Sequence, residues 1–359
     1  MSNTFGTRLR VTIFGQSHAP AIGALIEGLP AGIALDMAKI LSFMARRAPG
    51  RADTGTSRKE SDIPRIVSGL NEHGETCGAP LCALIENSDT RSADYAQLRD
   101  IPRPGHADFT AHLQSGLAHD IRGGGQFSGR LTAPLCFAGA VCAQLPQLRG
   151  VSVGAHIASL NTLCDAPFDP MGMDAHVLDA LAQKPFPTLC DDAGEAMRAA
   201  ILSAKQDGDS LGGMIEAIAQ GVPEGLGGPM FDGVENKLAQ ALFAIPAIRG
   251  VEFGRGFAAA QMRGSEHNDA FVISANGTVR TATNHHGGAL GGITSGMPIL
   301  LRAAIKPTPS ISITQQSVSL SKNEAEMLRI VGRHDPCIAP RAVPCVEAAI
   351  WITLADMVL

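Results

Sequence analysis

Three short segments of this chain crowd ionisable side chains onto a backbone with little freedom. Gly332-Arg333-His334-Asp335-Pro336-Cys337, followed by Ala339-Pro340-Arg341-Ala342-Val343-Pro344, gathers two guanidinium groups, an imidazole and a carboxylate among three prolines. Each proline fixes its own φ and restricts the residue before it. That stiffness suits a site that must hold charges in fixed positions. Gly15-Gln16-Ser17-His18 and Arg103-Pro104-Gly105-His106-Ala107-Asp108 have the same character. Together they read as an enzyme that binds a polyanion and moves protons.

Other segments add to this set. Arg122-Gly123-Gly124-Gly125-Gln126-Phe127-Ser128-Gly129-Arg130 precedes an apolar helix. Backbone amides at a glycine-rich turn and helix N-terminus form an anion site, although the run is neither a Walker A nor a Rossmann fingerprint. His106 stands just ahead of a helix predicted over 107–120, where the macrodipole disfavours its cation. A bound phosphate would reverse that and make it a proton donor near neutral pH; a structural hydrogen bond is the other reading. His18 follows a predicted strand. It suits either a catalytic loop position or a satisfied strand-end histidine, and its segment lacks the second glycine of a nucleophile elbow.

Asn284-His285-His286-Gly287-Gly288-Ala289-Leu290-Gly291-Gly292 carries adjacent histidines, which point apart and make a poor metal pair. Its glycines could wall a flat cofactor ring or build a hairpin. Lys306-Pro307-Thr308-Pro309-Ser310 offers a cation and two hydroxyls on a stiff strand exit. Arg46, Arg47 and Arg51 lie at or beyond a helix C-terminus, where cations complement the dipole.

Composition narrows the class. The net charge is −5, yet the 22 Arg far outnumber the 7 Lys. Arginine is favoured where planar recognition of phosphate or carboxylate matters, so an acidic, Arg-rich chain is expected to gather its guanidinium groups in a pocket. With one Trp and one Tyr, this argues against nucleic acid as a partner. No apolar run reaches membrane-spanning length. Met1–Arg10 does not read as a signal peptide, which makes a cytoplasmic protein the expectation. The eight cysteines form no CxxC pair; they read as buried free thiols, and no metal site is expected.

Elements that could position these residues follow from periodicity and caps. Strands are predicted over 11–14, 21–28, 63–70, 80–86, 151–160, 211–220, 250–258 and 297–305. Helices are predicted over 36–47 with Asp36 as N-cap, 107–120, 129–145, 191–206, 229–243 and 340–357. Strands do not alternate regularly with crossover helices. An α+β layered sandwich fits better than a doubly wound sheet, with residues 1–359 as a single domain carrying long loops.

Taken together, these segments resemble the chorismate synthase family from Phe5 to about Met357. The match covers 15–18, 46–50, 103–110, 122–130, 208–213, 284–296, 306–310 and 332–344. The resemblance implies a β-α-β sandwich core and a 1,4-anti elimination of phosphate from 5-enolpyruvylshikimate 3-phosphate. The products are chorismate and phosphate, at the last common step of the shikimate pathway to aromatic amino acids. It implies reduced FMN as cofactor, without net redox change, and a homotetramer. By the match, His106 is the acid toward the departing phosphate. His18 protonates or stabilises the reduced flavin, and Asp335 assists removal of the ring proton. Arg47, Arg103, Arg130 and Arg341 are the substrate-clamp candidates. FMN contacts map to Gln126, Phe127, Ser128, Pro246, Ala247, Gly291, Lys306, Pro307, Thr308, Pro309, Ser310 and Arg333.

The chain departs from the family pattern at Gln16 (usually Glu), Ala19 (usually Gly), Gln126-Phe127 (usually Arg-Ser) and Asp53 (usually basic), all of which bear on flavin or nicotinamide contacts. Some members reduce their own flavin with NADPH, and others use an external flavin reductase. This chain has no large insertion and is expected to be of the second kind. The alternative enzyme class is an FMN-dependent oxidoreductase acting on a phosphorylated substrate. A binding protein that has lost catalysis would be expected to lack His18, His106 or Asp335, and all three are present.

Overall fold

Alternating apolar residues near the N-terminus pair as the periodicity predicts. In the computed structural model, which describes residues 3–50, 54–55, 60–89, 97–275, 277–330, 332 and 334–359, five strands build the first sheet. They are β1 (Thr4–Phe5), β2 (Arg10–Gly15), β3 (Ala21–Glu27), β4 (Arg65–Ser68) and β5 (Leu81–Glu86), in the antiparallel order β1-β2-β3-β5-β4. The register sets Val11 opposite Ile26 and Ile22 opposite Ile85, so one face is continuously apolar. β6 (Ser152–Leu160), β7 (Leu163–Cys164), β8 (Gly213–Gln220) and β9 (Ile248–Phe253) begin a second sheet. Two hairpins follow: β10 (Phe271–Ile273) with β11 (Val279–Thr281), and β12 (Ala289–Leu290) with β13 (Ile293–Thr294). β14 (Ile299–Ile305) then completes that sheet in the order β7-β6-β8-β14-β9, and β15 (Gln315–Ser319) pairs with β16 (Glu324–Leu328).

The helices are α1 (Met37–Arg47), α2 (Asp108–Ser115), α3 (Thr132–Cys142), α4 (Ala175–Gln183), α5 (Asp191–Gln206), α6 (Val234–Phe243), α7 (Gly264–His267) and α8 (Ala339–Val358). α1 and α3 pack on α8; α3 meets β3, while α8 meets β6 and β8. A helical layer therefore lies between two sheets, as the family resemblance implies. α4 covers the other face of the second sheet through Leu178 and Leu181, against Phe168, Ile218 and Leu300.

Local chemistry explains the main elements. Asp36 caps α1 by accepting from the Lys39 amide at 3.1 Å, which satisfies one of the orphan donors of a first turn. α3 is apolar on all sides because it is buried on all sides. A Cβ added at Gly139 would lie 2.5 Å from Ala348 Cα, so glycine lets α3 and α8 touch. Two acids on α8 serve as internal anchors. Asp356 Oδ1 accepts the amides of Thr7, Arg8 and Leu9 at 2.7, 2.7 and 3.1 Å. Glu347 accepts two hydrogen bonds from Arg46 at 2.5 and 2.7 Å and the Ala155 amide at 3.1 Å, linking α1, α8 and β6.

Several boundaries differ from expectation. The helix predicted over 107–120 stops at Ser115, because Gly116 takes φ 56°. The one predicted over 129–145 begins after a single 3₁₀ turn, Gly129–Leu131, and ends at Cys142. The strand predicted over 250–258 ends at Phe253. α4 and the β15–β16 hairpin were not anticipated. Cys136, Cys142, Cys337 and Cys345 are buried thiols as expected, but Cys77, Cys164 and Cys190 are exposed. Among the described residues, no helix is long and apolar enough to cross a membrane.

Glu347→Ala leaves the Arg46 guanidinium buried without its carboxylate. The expected cost is about 3–5 kcal/mol of unfolding free energy, read from urea denaturation. A change below about 1 kcal/mol, the range of exposed pairs, would show that this bridge does not hold the helical layer.

Candidate active site

A cavity of ≈ 540 Å³ opens where α1, the start of α8 and five connecting segments converge. Its cationic side is made by Arg47, Arg103, Arg130, Arg341 and Lys306. A buried guanidinium needs partners, and each arginine has them. Arg47 donates to Thr132 Oγ1 at 2.9 Å, Asp62 Oδ2 at 2.6 Å and the Gly129 carbonyl at 3.1 Å. Arg130 donates to Asp62 Oδ1, to Asn87 Oδ1 at 2.9 Å and to the Glu86 carbonyl at 3.2 Å. One carboxylate, Asp62, thus bridges two guanidinium groups. Burial alone would raise its pKa; the Arg47 and Arg130 charges outweigh that and hold it below the usual carboxylate range. Glu60 stands 3.7 Å from Arg130 as a second acid. Arg341 donates to Asp335 Oδ2 at 2.6 Å and to the Arg47 carbonyl at 3.0 Å.

Arg103 holds Asp108 in a two-pronged contact, Nε to Oδ2 at 2.7 Å and Nη2 to Oδ1 at 2.8 Å, and its Nη1 reaches Ser310 Oγ at 3.1 Å. His106 Nδ1 lies 2.6 Å from Asp108 Oδ1 and 3.1 Å from Arg103 Nη2. The shorter contact fixes the tautomer: Nδ1–H donates to the carboxylate, which leaves Nε2 as the acceptor. Burial, joined by the Arg103 and Lys306 charges, lowers the His106 pKa below 6.5 despite Asp108. This favours the neutral imidazole near neutral pH.

The triple glycine has a geometric role. Gly123, Gly124 and Gly125 all take positive φ, at 61°, 83° and 55°. A Cβ at Gly123 would lie 2.6 Å from His18 Cδ2 and 2.6 Å from Ser17 Oγ. One at Gly124 would lie 3.3 Å from His106 Nε2, and one at Gly125 would strike the Asp120 carbonyl. The strip is thus a thin partition between the two histidines, with the Ser17 amide tied to the Gly125 carbonyl at 3.1 Å. Ser17 and Ser128 flank it, and Ser128 Oγ accepts from the Arg130 amide at 3.3 Å.

The rest of the lining is more apolar. It carries Phe127, Ala244, Ile245, Pro246 and Ala247, with Gln126, Thr308, Pro309 and Ser310 alongside. Ala247 takes φ 75°, a strained value for a non-glycine residue, and its carbonyl accepts the Lys306 amide at 3.0 Å. Lys306 Nζ donates to the Gly105 carbonyl. Thr308 Oγ1 is buried with no hydrogen-bond partner among the described residues. An orphaned hydroxyl on a half-apolar wall is the mark of a site that a ligand completes.

Most predicted site residues meet here. Asp335, His106, the four clamp arginines, Gln126–Ser128, Pro246, Ala247, Lys306 and 308–310 all line the cavity. His18 sits behind Gly123 instead of on the surface. Pro307 is not on the wall; it packs against Gly212. Gly291 is also off the wall, at the β12–β13 turn. Gly287 and Gly288 do not face a ligand: a Cβ on them would meet the backbone of Gly254 and Pro298 at 2.4 Å. His285 and His286 are held by Asp269. Of the two arginines flanking the triple glycine, only Arg130 faces the cavity; Arg122 turns back onto Asp120 at 2.8 Å. Arg47 ends α1, and its guanidinium is engaged in the cavity wall, where the family resemblance puts it as a clamp candidate. Arg333, Arg51 and Asp53 lie outside the described residues. Sequence reasoning missed Asp62, Glu60, Asn87 and Thr132. The one available signal was indirect: buried arginines in an acidic chain require buried acids.

Fold and site together define an α+β sandwich enzyme with a cationic cavity built to handle protons. The chorismate synthase family profile matches residues 9–359. A chorismate synthase of Lancefieldella parvula is 43% identical over 366 residues, covering 99% of this chain and 96% of that relative. One of Thermococcus gammatolerans is 45% identical over 355 residues, covering 99% and 97%. A crystal structure of chorismate synthase is similar with TM-score 0.74 at 28% identity, covering 98% of this chain and 92% of that one. The chain belongs to the chorismate synthase family, and with it to the lyases.

The Asp62 bridge has a pH signature. Its folded pKa lies below the unfolded one, so its stabilisation is full above about pH 4 and fades as pH falls through the lower folded value. Asp62→Asn is expected to lower stability at pH 7 by about 3 kcal/mol and to flatten the acid limb of the stability curve. An acid limb identical to wild type, from urea melts between pH 3 and 7, would contradict the bridge.

Proposed function

We propose that this chain eliminates phosphate from 5-enolpyruvylshikimate 3-phosphate to give chorismate and inorganic phosphate. The observation that carries the reading is the convergence of His106, Asp335 and four paired arginines on one cavity in a chain of this family. The substrate carries a phosphate and two carboxylates, and Arg47, Arg103, Arg130, Arg341 and Lys306 supply the complementary charge. Arginine's planar fork suits such groups better than an ammonium does. His106 is neutral before substrate arrives, and a bound phosphate dianion raises its proton affinity. The imidazolium then hydrogen-bonds the phosphate and gives up its proton as the C–O bond breaks. Asp108 keeps the ring oriented throughout. Asp335, aimed by Arg341, assists removal of the ring proton. His18 lies across the glycine partition and sets protonation on the cofactor side.

FMN fits the apolar wall: Phe127, Pro246 and Ala247 offer flat apolar contact, Gln126, Ser128, Lys306, Pro309 and Ser310 border it, and the orphaned Thr308 hydroxyl needs a partner. When bound in reduced form, FMN supplies electron density to the allylic system and recovers it, with no net redox change. The chain's own part is to exclude water and fix protonation states. Gly291, Pro307 and Arg333 remain proposals from resemblance alone.

The same reading extends to the whole protein. One apolar cluster runs from Leu9 to Ala355 through both sheets and the helical layer, which supports a single domain. Exposed Phe231, Phe257, Phe271 and Ile273 suit subunit contacts, in keeping with a homotetramer. We place it in the cytoplasm, with an external flavin reductase as the source of reduced FMN. Family membership does not favour the oxidoreductase alternative.

An anaerobic assay with chemically reduced FMN and 5-enolpyruvylshikimate 3-phosphate tests the reading. Chorismate and phosphate are expected in equal amounts, with the flavin still reduced at the end. Stoichiometric flavin oxidation, or no phosphate release from folded, flavin-binding protein, would contradict it. His106→Ala is expected to slow phosphate release by about 10²–10⁴-fold. Gly123→Ala, which pushes on His18, should cost roughly a hundredfold, the usual price of about 1 Å of misplacement. Wild-type rates in either variant would remove that residue from the account.

A further inference from the structure

Neither sulfur of one close cysteine pair has a part in the elimination. Cys136 on α3 and Cys345 on α8 are 209 residues apart in sequence, yet their Sγ atoms lie 3.8 Å apart. The cause is the close helix crossing: Gly139, one turn beyond Cys136, leaves room for Ala348, one turn beyond Cys345. The two sulfurs are not equivalent. Cys345 lines the cavity, whereas Cys136 is not on its wall. Cys345 Sγ lies 3.4 Å from the Arg341 carbonyl. The Cys136 thiol donates to Cys345, and with the Arg47 charge this lowers the Cys345 pKa against the effect of burial. Burial pushes Cys136 well up. Cys345 is 2% exposed to bulk solvent but borders the cavity, so a molecule small enough to enter the cavity can reach its sulfur, and Cys136 is a thiol in van der Waals contact with it. Reactive cysteines sit in such electropositive settings beside a resolving thiol.

We infer that Cys136 and Cys345 form a peroxide-reactive dithiol that closes to a disulfide in the cavity wall. The Cys345 thiolate attacks one oxygen of hydrogen peroxide. The O–O bond breaks, leaving a sulfenic acid on Cys345 and a hydroxide that takes up a proton as water. The Cys136 thiol then attacks the sulfenic sulfur. The S–S bond forms, the S–O bond breaks, and a second water leaves with the Cys136 proton. Two thiols lose two electrons and two protons, and one peroxide becomes two waters. The sulfurs must close from 3.8 Å to about 2.05 Å. That draws Cys345 away from the Arg341 carbonyl and disturbs the turn that aims Arg341. The inference stands on the placement of the cysteines and does not need the lyase reading.

The test is peptide mapping of the full-length protein. Fully reduced protein is treated with one equivalent of hydrogen peroxide, alkylated under denaturing conditions, digested and weighed. The expected product is a cross-linked peptide pair containing Cys136 and Cys345, about 2 Da lighter than the two thiol peptides together, which dithiothreitol separates. In Cys136→Ser, Cys345 should instead be trapped as a sulfenic acid by dimedone. Two results would overturn the inference. One is oxidation at exposed Cys77, Cys164 and Cys190 while Cys136 and Cys345 both alkylate as thiols. The other is sulfinic acid on wild-type Cys345 with no cross-link. Both are read from wild-type mass, so neither depends on a variant folding or on lyase activity.

Discussion

Burying three guanidinium groups and half-burying a fourth around one cavity is the constraint that shapes this molecule. A buried charge without a partner costs several kcal/mol, so every arginine of the cavity brings an acid or a set of carbonyls with it. Arg47 and Arg130 share Asp62, Arg103 grips Asp108, and Arg341 grips Asp335. These partners come from loops and helix ends that lie far apart along the chain. The sandwich exists to bring them together: α1 delivers Arg47, the turn before α3 delivers Arg130, and the first turn of α8 delivers Arg341. Even outside the cavity the helical layer repeats the device, with Arg46 on Glu347.

Proton chemistry follows from that charge. Asp108 is committed to Arg103 and still accepts from His106, which sets the ring's tautomer and direction. The surrounding cations and burial keep the imidazole neutral. On the proposed function, an arriving dianion offsets those cations, so the ligand would charge the group proposed as its acid. The glycine partition lets His18 stand close by without touching the same space. His106 thus lines the cavity while His18 lies behind the glycine strip.

Much of this was legible in the sequence where the determinant is local. The Asp36 cap, the apolar alternation of β2 and β3, and the stiff Arg-rich start of α8 all depend on neighbours within a few residues. The helix-terminus rule alone could not show what Arg47 does, because that rule is local whereas its partners Asp62 and Thr132 lie 15 and 85 residues away; only the family resemblance pointed to it as a clamp residue. Asp62 carried no local signal that set it apart from Asp53 and Glu60 in the same long loop. Gly287 and Gly288 looked like a ligand wall because close approach of backbone and close approach of a ring require the same residue; here the neighbour is backbone. The early end of α2 turned on one glycine whose conformation the apolar pattern did not reveal.

The central claim of the proposed function is that the charge of the bound substrate protonates His106. Calorimetry of 5-enolpyruvylshikimate 3-phosphate binding near neutral pH, in buffers of different ionisation enthalpy, counts the protons taken up. Because the His106 pKa lies below 6.5 in the free protein and rises beside a dianion, the account predicts net uptake that disappears in His106→Ala. Binding without uptake, or uptake unchanged in that variant, would contradict it.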